Sequence, residues 1–249
     1  MSSAASRSGA RHRITPKVRL IVTVGSIALV AVGALAGFLL WHGAWAGRLH
    51  LATVRAALAG PRVVAITVDD GPTAAYTPRV LALLKSHGAT ATFFVVGKSA
   101  QQHPDLVRAA LAQGCTIGVH TWSHPKMDRI SDVRARAEVL RGAEAVEKIT
   151  GEPPLFYRPP RGVSTPVEGQ AVSDLGMHIV LWDQCLDHVG DKTPAAAAER
   201  VLERIVPGDI ILLHDGAGDR EKTIKALGIL LDGLESTGYR VVPLGQLPL

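Results

Sequence analysis

The feature that most constrains this chain is an alternation that begins at residue 62. Short apolar runs rich in Val, Ile and Phe take turns with stretches of helical pattern. Strands are predicted at 62–70, 89–97, 116–121, 154–160, 178–183, 209–215 and 240–244. Helices are predicted at 77–86, 104–113, 131–149, 194–205 and 223–236. The helical stretches stop at or near Gly88, Gly114, Gly151, Pro207 and Gly238, residues that end helices. Alternating strands and helices predict a parallel sheet with crossover helices. Strands buried on both faces read as continuous apolar runs, as Phe93-Phe94-Val95-Val96 and Ile210-Ile211-Leu212-Leu213 do. Periodicity alone leaves open whether these strand–helix steps close into a barrel or stay an open doubly wound sheet.

The polar residues fall where such a sheet would place a site. Five runs end in reactive or charged side chains: Asp69-Asp70, His120, Arg158, Trp182-Asp183 and His214-Asp215. In parallel α/β folds, sites gather at the C-terminal ends of the strands. Two adjacent carboxylates at a Gly71-Pro72 turn allow one to hold a metal and the other to act as a base, although Asp, Gly and Pro also make ordinary turns. His120 and His124 are four apart, a spacing that brings two imidazoles to one side of a helical turn. Two His and one carboxylate with open positions form a catalytic type of metal set. His214 suits proton transfer near neutral pH, and Arg158 suits the fixed orientation of a carboxylate. Taken singly, each also has a plain reading as a core histidine or a structural ion pair.

Charge separates the N-terminus from the rest. Residues 1–41 hold five basic residues (Arg7, Arg11, Arg13, Lys17, Arg19) and no acidic one, and beyond them 22 basic residues balance 22 acidic ones. The body therefore carries no electrostatic case for nucleic acid, and 4% aromatic residues exclude a stacking platform for single strands. Residues 20–41 are uncharged, and as a helix would span roughly 30 Å, the thickness of a bilayer core. With the cations before it, this segment predicts a single-pass anchor whose following chain is exported. The expected organisation is a basic cytoplasmic tail (1–19), a transmembrane segment (20–41), a stalk (42–60) and a catalytic domain (61–249). Ala44-Trp45-Ala46 offers the alternative of a cleaved signal peptide and a secreted product.

Four stretches together carry a resemblance. Thr67-Val68-Asp69-Asp70-Gly71-Pro72, His120-Thr121-Trp122-Ser123-His124, Arg158-Pro159-Pro160-Arg161-Gly162 and Leu212-Leu213-His214-Asp215 occur in the order seen in polysaccharide deacetylases, the NodB-homology enzymes of carbohydrate esterase family 4. The chain resembles that family over about residues 62–247. The resemblance implies a distorted (β/α) barrel of about seven parallel strands and a divalent metal, zinc first and cobalt or another ion second. It implies Asp70, His120 and His124 as metal ligands, Asp69 as general base and His214 as general acid. Arg158 would orient Asp69, and Asp187 would brace Arg158, with Asp183 as the rival for that task. The backbone N–H of Arg161 would face the oxyanion, while Trp182 and Leu213 would line the pocket for the acetyl methyl. The sequence departs from the family where Arg161 replaces a commoner aromatic and where Asp187 comes one residue early after Trp182.

The expected function is removal of N-acetyl groups from an extracytoplasmic aminoglycan, peptidoglycan first and chitin-like oligosaccharides second. Alternatives are an O-deacetylase of an acetylated polymer such as xylan, or a non-catalytic wall-binding protein on the same fold. Cys115 opens a strand and Cys185 is expected at the opposite, catalytic end, so no disulfide between them is predicted.

Overall fold

The computed structural model describes residues 61–247. The expected tail, transmembrane segment and stalk (1–19, 20–41, 42–60) lie outside the described residues. Among the described residues no helix is long and apolar enough to cross a membrane.

The elements run β1 (Val63–Asp69), α1 (Thr77–Ser86), β2 (Ala91–Val95), α2 (Gly97–Gln102), α3 (Pro104–Ala112), β3 (Thr116–Val119), α4 (Asp132–Thr150), β4 (Phe156–Tyr157), α5 (Pro166–Asp174), β5 (His178–Ile179), β6 (Gln184–Cys185), α6 (Pro194–Leu202), β7 (Ile210–His214), α7 (Glu221–Ser236) and β8 (Arg240–Val241). The eight strands form one sheet in the order β5-β4-β3-β2-β1-β7-β6, with β8 on β1. Every pairing is parallel.

The chain's own reach makes this sheet curl. β5 and β6 stand at opposite edges of the strand order, six strand spacings or about 29 Å apart if the sheet were flat. Yet only residues 180–183 join them, and five Cα steps reach at most about 18 Å. The sheet therefore bends until its edges approach. Among the described residues the edges do not pair, so the barrel expected from the resemblance is an incomplete one, of eight strands where about seven are expected. The reason is local: the expected strand 178–183 keeps ladder pairing only at His178 and Ile179. The chain then crosses the gap and resumes as β6 beside β7, where only two residues pair and no apolar run announces them.

Alternation along β1 divides the interior in two. Val64, Ile66 and Val68 pack among the helices in the larger core with Val80, Leu84 and Leu227. Val63 and Ala65 face the other way, into a smaller core with Phe94, Val242 and Leu244. Thr67 and Asp69 follow the second parity, so the strand carries its polar end onto the face that the helices do not cover.

Helix boundaries follow their sequence signals. α1 spans the expected residues, has Pro at its start and is followed by His87 and Gly88, whose φ is +58°. α4 ends on Gly151 at φ +83°. Two helices escape the periodic reading. α2 is a six-residue helix directly after β2. α5 has weak amphipathicity, and its signal is a capping box in which Thr165 accepts from the Glu168 N–H and Glu168 accepts from the Thr165 N–H.

The cysteines are both free, Cys115 buried and Cys185 half-buried. Their separation differs from the expected one. Cys185 pairs with Leu212, which pairs with Thr67, then Thr92, then Thr116. Cys185 thus lies level with the start of β3, and four strand spacings, about 19 Å around the sheet, separate the two sulfurs' strands.

α4 touches the segment after β3 closely. A Cβ on Gly142 would lie 2.8 Å from the Thr121 carbonyl carbon and 2.9 Å from Val119 Cγ1. Gly142→Ala is therefore expected to cost about 1–3 kcal/mol by overpacking. Gly169, inside α5 with nothing near its added Cβ, is expected to gain about 0.5–1 kcal/mol on change to Ala. Thermal unfolding of the two variants should move Tm in opposite directions.

Candidate active site

β1 ends at Asp69, and the next residue turns out of the strand. Asp70 has φ +73°, a left-handed conformation that Asp tolerates better than most residues. The turn is held from behind by Asp215, whose N–H donates to the Asp69 carbonyl at 3.1 Å. A side chain on Gly71 would collide with Asp215 Oδ1, at 2.1 Å, so only glycine lets the two strand ends meet here. Asp215 is fully buried and accepts from the Thr77 hydroxyl. Burial pushes its carboxyl up to about 7, against the Thr77 hydrogen bond and with help from the charges of Asp70 and Asp69.

The second arm is the loop 120–124. Its entry, His120, follows β3 and is hydrogen-bonded by its N–H to the Val95 carbonyl. The first N–H groups of α2, from Gly97 and Lys98, donate to the carbonyls of Thr121 and Trp122. From the other side Glu138 of α4 accepts from the Ser123 N–H and hydroxyl, both at 2.8 Å. The loop is thereby fixed between two helices, with Thr121 and His124 at positive φ.

This clamping brings Asp70, His120 and His124 together, with one ligand atom from each lying within 4.8 Å of the others. Asp70 Oδ1 stands 3.5 Å from His120 Nε2 and 3.2 Å from His124 Nε2, but it is buried and receives no hydrogen bond. His120 Nδ1 lies 2.7 Å from the Arg158 carbonyl, which makes Nδ1 the protonated nitrogen and leaves the Nε2 lone pair facing Asp70. Burial and the neighbouring His120 hold the His124 imidazole below its ordinary value, in the neutral form a ligand needs. Burial alone would raise the Asp70 carboxyl, but the adjacent His120, then the charges of His124 and His214, hold it at about 2. An unpartnered buried oxygen facing two free imidazole nitrogens fits a divalent cation, and this donor chemistry suits zinc.

Arg158 lies directly after β4 and is fully buried. Its Nη1 donates to Asp69 Oδ1 at 2.8 Å and to the Thr67 hydroxyl at 2.7 Å. The expected brace from Asp187 or Asp183 is absent. Nε and Nη2 donate to the carbonyls of Val180 and Leu181, at 3.0 and 2.9 Å. The guanidinium also lies 4.2 Å from the centre of the Phe94 ring and 5.6 Å from that of Trp182. The segment that crosses the gap in the sheet thus does the bracing with backbone, which needs no particular side chain and left no trace in the sequence. Burial lowers the affinity of Arg158 for its proton, while Asp69 works in the opposite direction.

Asp187 serves His214 instead. Its carboxylate stands 3.0 and 3.1 Å from His214 Nδ1 and accepts from the His214 N–H at 3.1 Å. Burial alone would lower the His214 imidazole. The hydrogen bond and charge of Asp187, followed by Asp69 and Asp70, raise it above its ordinary value. His214 Nδ1 is therefore the donor to Asp187, and Nε2 is the nitrogen left for other chemistry. Asp183 lies apart, where its carboxylate accepts from the Ile210 N–H at 2.9 Å.

Leu213 does not line this site. It is paired with Val68 and packs with it among the helices, because alternation sends it to the face opposite His214. Leu212, paired with Thr67, shares the parity of His214 instead. Trp182 does stand at the site, with its ring over Gly162 as well as near Arg158. Arg161 has φ +60°. The hydrogen bonds that close its turn come from the Gly162 and Val163 N–H groups, so neither uses the Arg161 N–H. Its side chain turns outward to pair with Asp128 at 2.5 Å. Glu138, Asp215 and Arg220, which donates to the Gly216 carbonyl at 2.6 Å, are site supports that sequence reading missed.

Comparison with known proteins agrees with this geometry. The family described as polysaccharide deacetylase matches residues 58–180. A peptidoglycan-N-acetylglucosamine deacetylase of Bacillus cereus is 38% identical over 188 residues, covering 75% of this chain and 88% of that protein. A chitooligosaccharide deacetylase of a Bradyrhizobium species is 33% identical over 204 residues, 76% of this chain and 92% of the other. The solved structure of peptidoglycan deacetylase PdaC from Bacillus subtilis superposes with a TM-score of 0.68 at 32% identity, covering 76% of this chain and 90% of that one. With the half-barrel, the acidic turn, the paired histidines and the buried arginine in place, this chain belongs to the polysaccharide deacetylase family.

Proposed function

We propose that this chain is a zinc-dependent N-deacetylase of peptidoglycan that works outside the cytoplasmic membrane, anchored by residues 20–41. The observation that carries the chemistry is the Asp70 Oδ1 atom, buried, without a hydrogen bond and facing two imidazole nitrogens. The names of the Bacillus cereus and Bacillus subtilis relatives support the substrate, and the Bradyrhizobium relative supports chitin-like oligosaccharide as second choice. The uncharged stretch 20–41 behind five cations supports the anchor and the exported catalytic domain.

Asp70, His120 and His124 would hold the ion, which when bound supplies a Lewis acid for the acetamide carbonyl and lowers the pKa of a water toward about 7. The protein groups divide the remaining work. Arg158 fixes Asp69 through Oδ1, and Asp69 Oδ2 faces His120 Nε2 at 3.8 Å. That oxygen is the base that takes the proton as water attacks the carbonyl carbon. The Arg161 N–H faces the oxygen on which negative charge develops. His214, with Nδ1 tied to Asp187, gives the proton on Nε2 to the nitrogen as the carbon–nitrogen bond breaks. Acetate and a free amino sugar leave.

Acetate release by the full chain in detergent, from peptidoglycan and from chitin oligomers, tests the proposal. A chelator should abolish release and zinc should restore it. Release from acetylated xylan alone would replace the reading with O-deacetylation.

Asp69→Asn should retain one zinc per chain and lower kcat by about 10²–10⁴-fold, the range for loss of a general base. A variant stripped of metal would reverse the roles of Asp69 and Asp70. Asp187→Asn removes the group that raises the His214 imidazole. A general acid must be protonated to act, so a lower pKa moves the alkaline limb of the rate profile to lower pH. An unmoved limb in kcat/KM would take Asp187 out of this role.

A further inference from the structure

Arg220 lies just before α7 with its side chain one-fifth exposed. Its guanidinium spans both halves of the site. Nε donates to the Gly216 carbonyl at 2.6 Å and Nη2 to the Ala217 carbonyl at 3.1 Å. Nη1 donates to Asp187 Oδ2 at 3.4 Å, and Nη2 lies 3.9 Å from Asp70 Oδ2.

The backbone it grips is the backbone that supports Asp70. A Cβ on Gly216 would lie 2.2 Å from the Asp70 carbonyl oxygen and 2.8 Å from Asp70 Cβ. The loop after His214 is thus pressed against the left-handed turn that aims Asp70. The same guanidinium reaches the carboxylate that holds His214. Asp187 also accepts from the Thr223 hydroxyl of α7, at 3.3 Å, so the helix start approaches it through two side chains.

We propose that Arg220 is a positioning residue of the reaction, tying the metal-side carboxylate Asp70 and the acid-side pair Asp187–His214 into one rigid unit through the loop 215–219. This rests on the deacetylase reading above. A planar guanidinium suits the task because its donors point in fixed, divergent directions in one plane. A lysine at the same place offers one ammonium, which cannot reach the Gly216 and Ala217 carbonyls and Asp187 with that geometry. Arg220 sets the mutual placement of the metal-side carboxylate and the acid-side pair, which matters most in the transition state, so kcat rather than substrate affinity should carry the loss.

A cavity of about 180 Å³ borders Arg220, lined also by Asp187, Lys222 and Thr223. It gives access for a small cation to the place a truncated side chain would vacate, and this supplies the test. The full chain is assayed as wild type, Arg220→Lys and Arg220→Ala, each with measured Tm and bound zinc, and Arg220→Ala is assayed again with millimolar guanidinium. Arg220→Lys should keep its zinc and Tm while kcat falls about 10²-fold, the scale of a small misplacement of reacting groups, with KM within about twofold. Guanidinium should restore part of the kcat of Arg220→Ala and leave the wild type unchanged.

Wild-type kcat in Arg220→Lys would overturn the proposal. So would a loss that tracks Tm and zinc and is not rescued by guanidinium, since that is the mark of a fold brace alone. A wild-type chain that releases no acetate would overturn the deacetylase reading and this inference together, whereas an active wild type with indifferent variants would sink only the inference.

Discussion

One buried guanidinium organises this molecule. Arg158 holds Asp69 and Thr67 with one nitrogen and the carbonyls of Val180 and Leu181 with the other two. Its own carbonyl accepts from His120. Asp69, His120 and the segment that crosses the open edge of the sheet are therefore fixed by the same residue. A buried cation without partners is very costly, and here the partners are supplied by β1, by the Phe94 face and by the gap-crossing backbone. Breaking such a pair typically costs about 3–5 kcal/mol because the remaining charge is stranded. The incomplete barrel and the site thus depend on one another: the gap between β5 and β6 exposes the two carbonyls that Arg158 needs, and Arg158 holds the crossing segment in place of strand pairing.

Around this centre the structure separates two kinds of chemistry. Asp70, His120 and His124 form a candidate site for a cation, with His120 oriented by a backbone carbonyl and His124 held below its ordinary pKa by burial and the neighbouring His120. Across from it, Asp187 holds the His214 imidazole so that it retains its proton at higher pH. The two carboxylates of the acidic turn differ through their partners alone. Asp69 is tied by an arginine, whereas Asp70 Oδ1 has two imidazoles before it and no hydrogen bond. This is how adjacent residues of the same type come to have different surroundings.

Much of this was legible in the sequence because the determining signals are local. The apolar run 62–70 and its terminal Asp69-Asp70 required a buried strand with a polar end, and the structure has that strand at Val63–Asp69. His120 and His124 were legible as a pair from spacing, since a short clamped loop keeps neighbours together. The roles of Asp187 and Leu213 were not. Asp187 follows an irregular crossing whose path depends on curling of the whole sheet, so its partner proved to be His214. The Leu213 assignment failed for a simpler reason, a parity error of one residue on a strand that alternates faces. Backbone acceptors such as Val180 and Leu181 have no side-chain signature and can be found only in three dimensions. The short helix α2 and the two-residue β6 were missed because neither is long enough to display a period.

The central claim is a cation held by Asp70, His120 and His124 with Asp69 left free beside it. Anomalous diffraction at the zinc edge, from crystals of the full chain grown with zinc, tests this most directly. The account predicts a single strong peak about 2.0–2.2 Å from Asp70 Oδ1 and from Nε2 of both histidines, with Asp69 remaining on Arg158. A peak bound through Asp69 in place of Asp70, or no peak at these three residues, would contradict it.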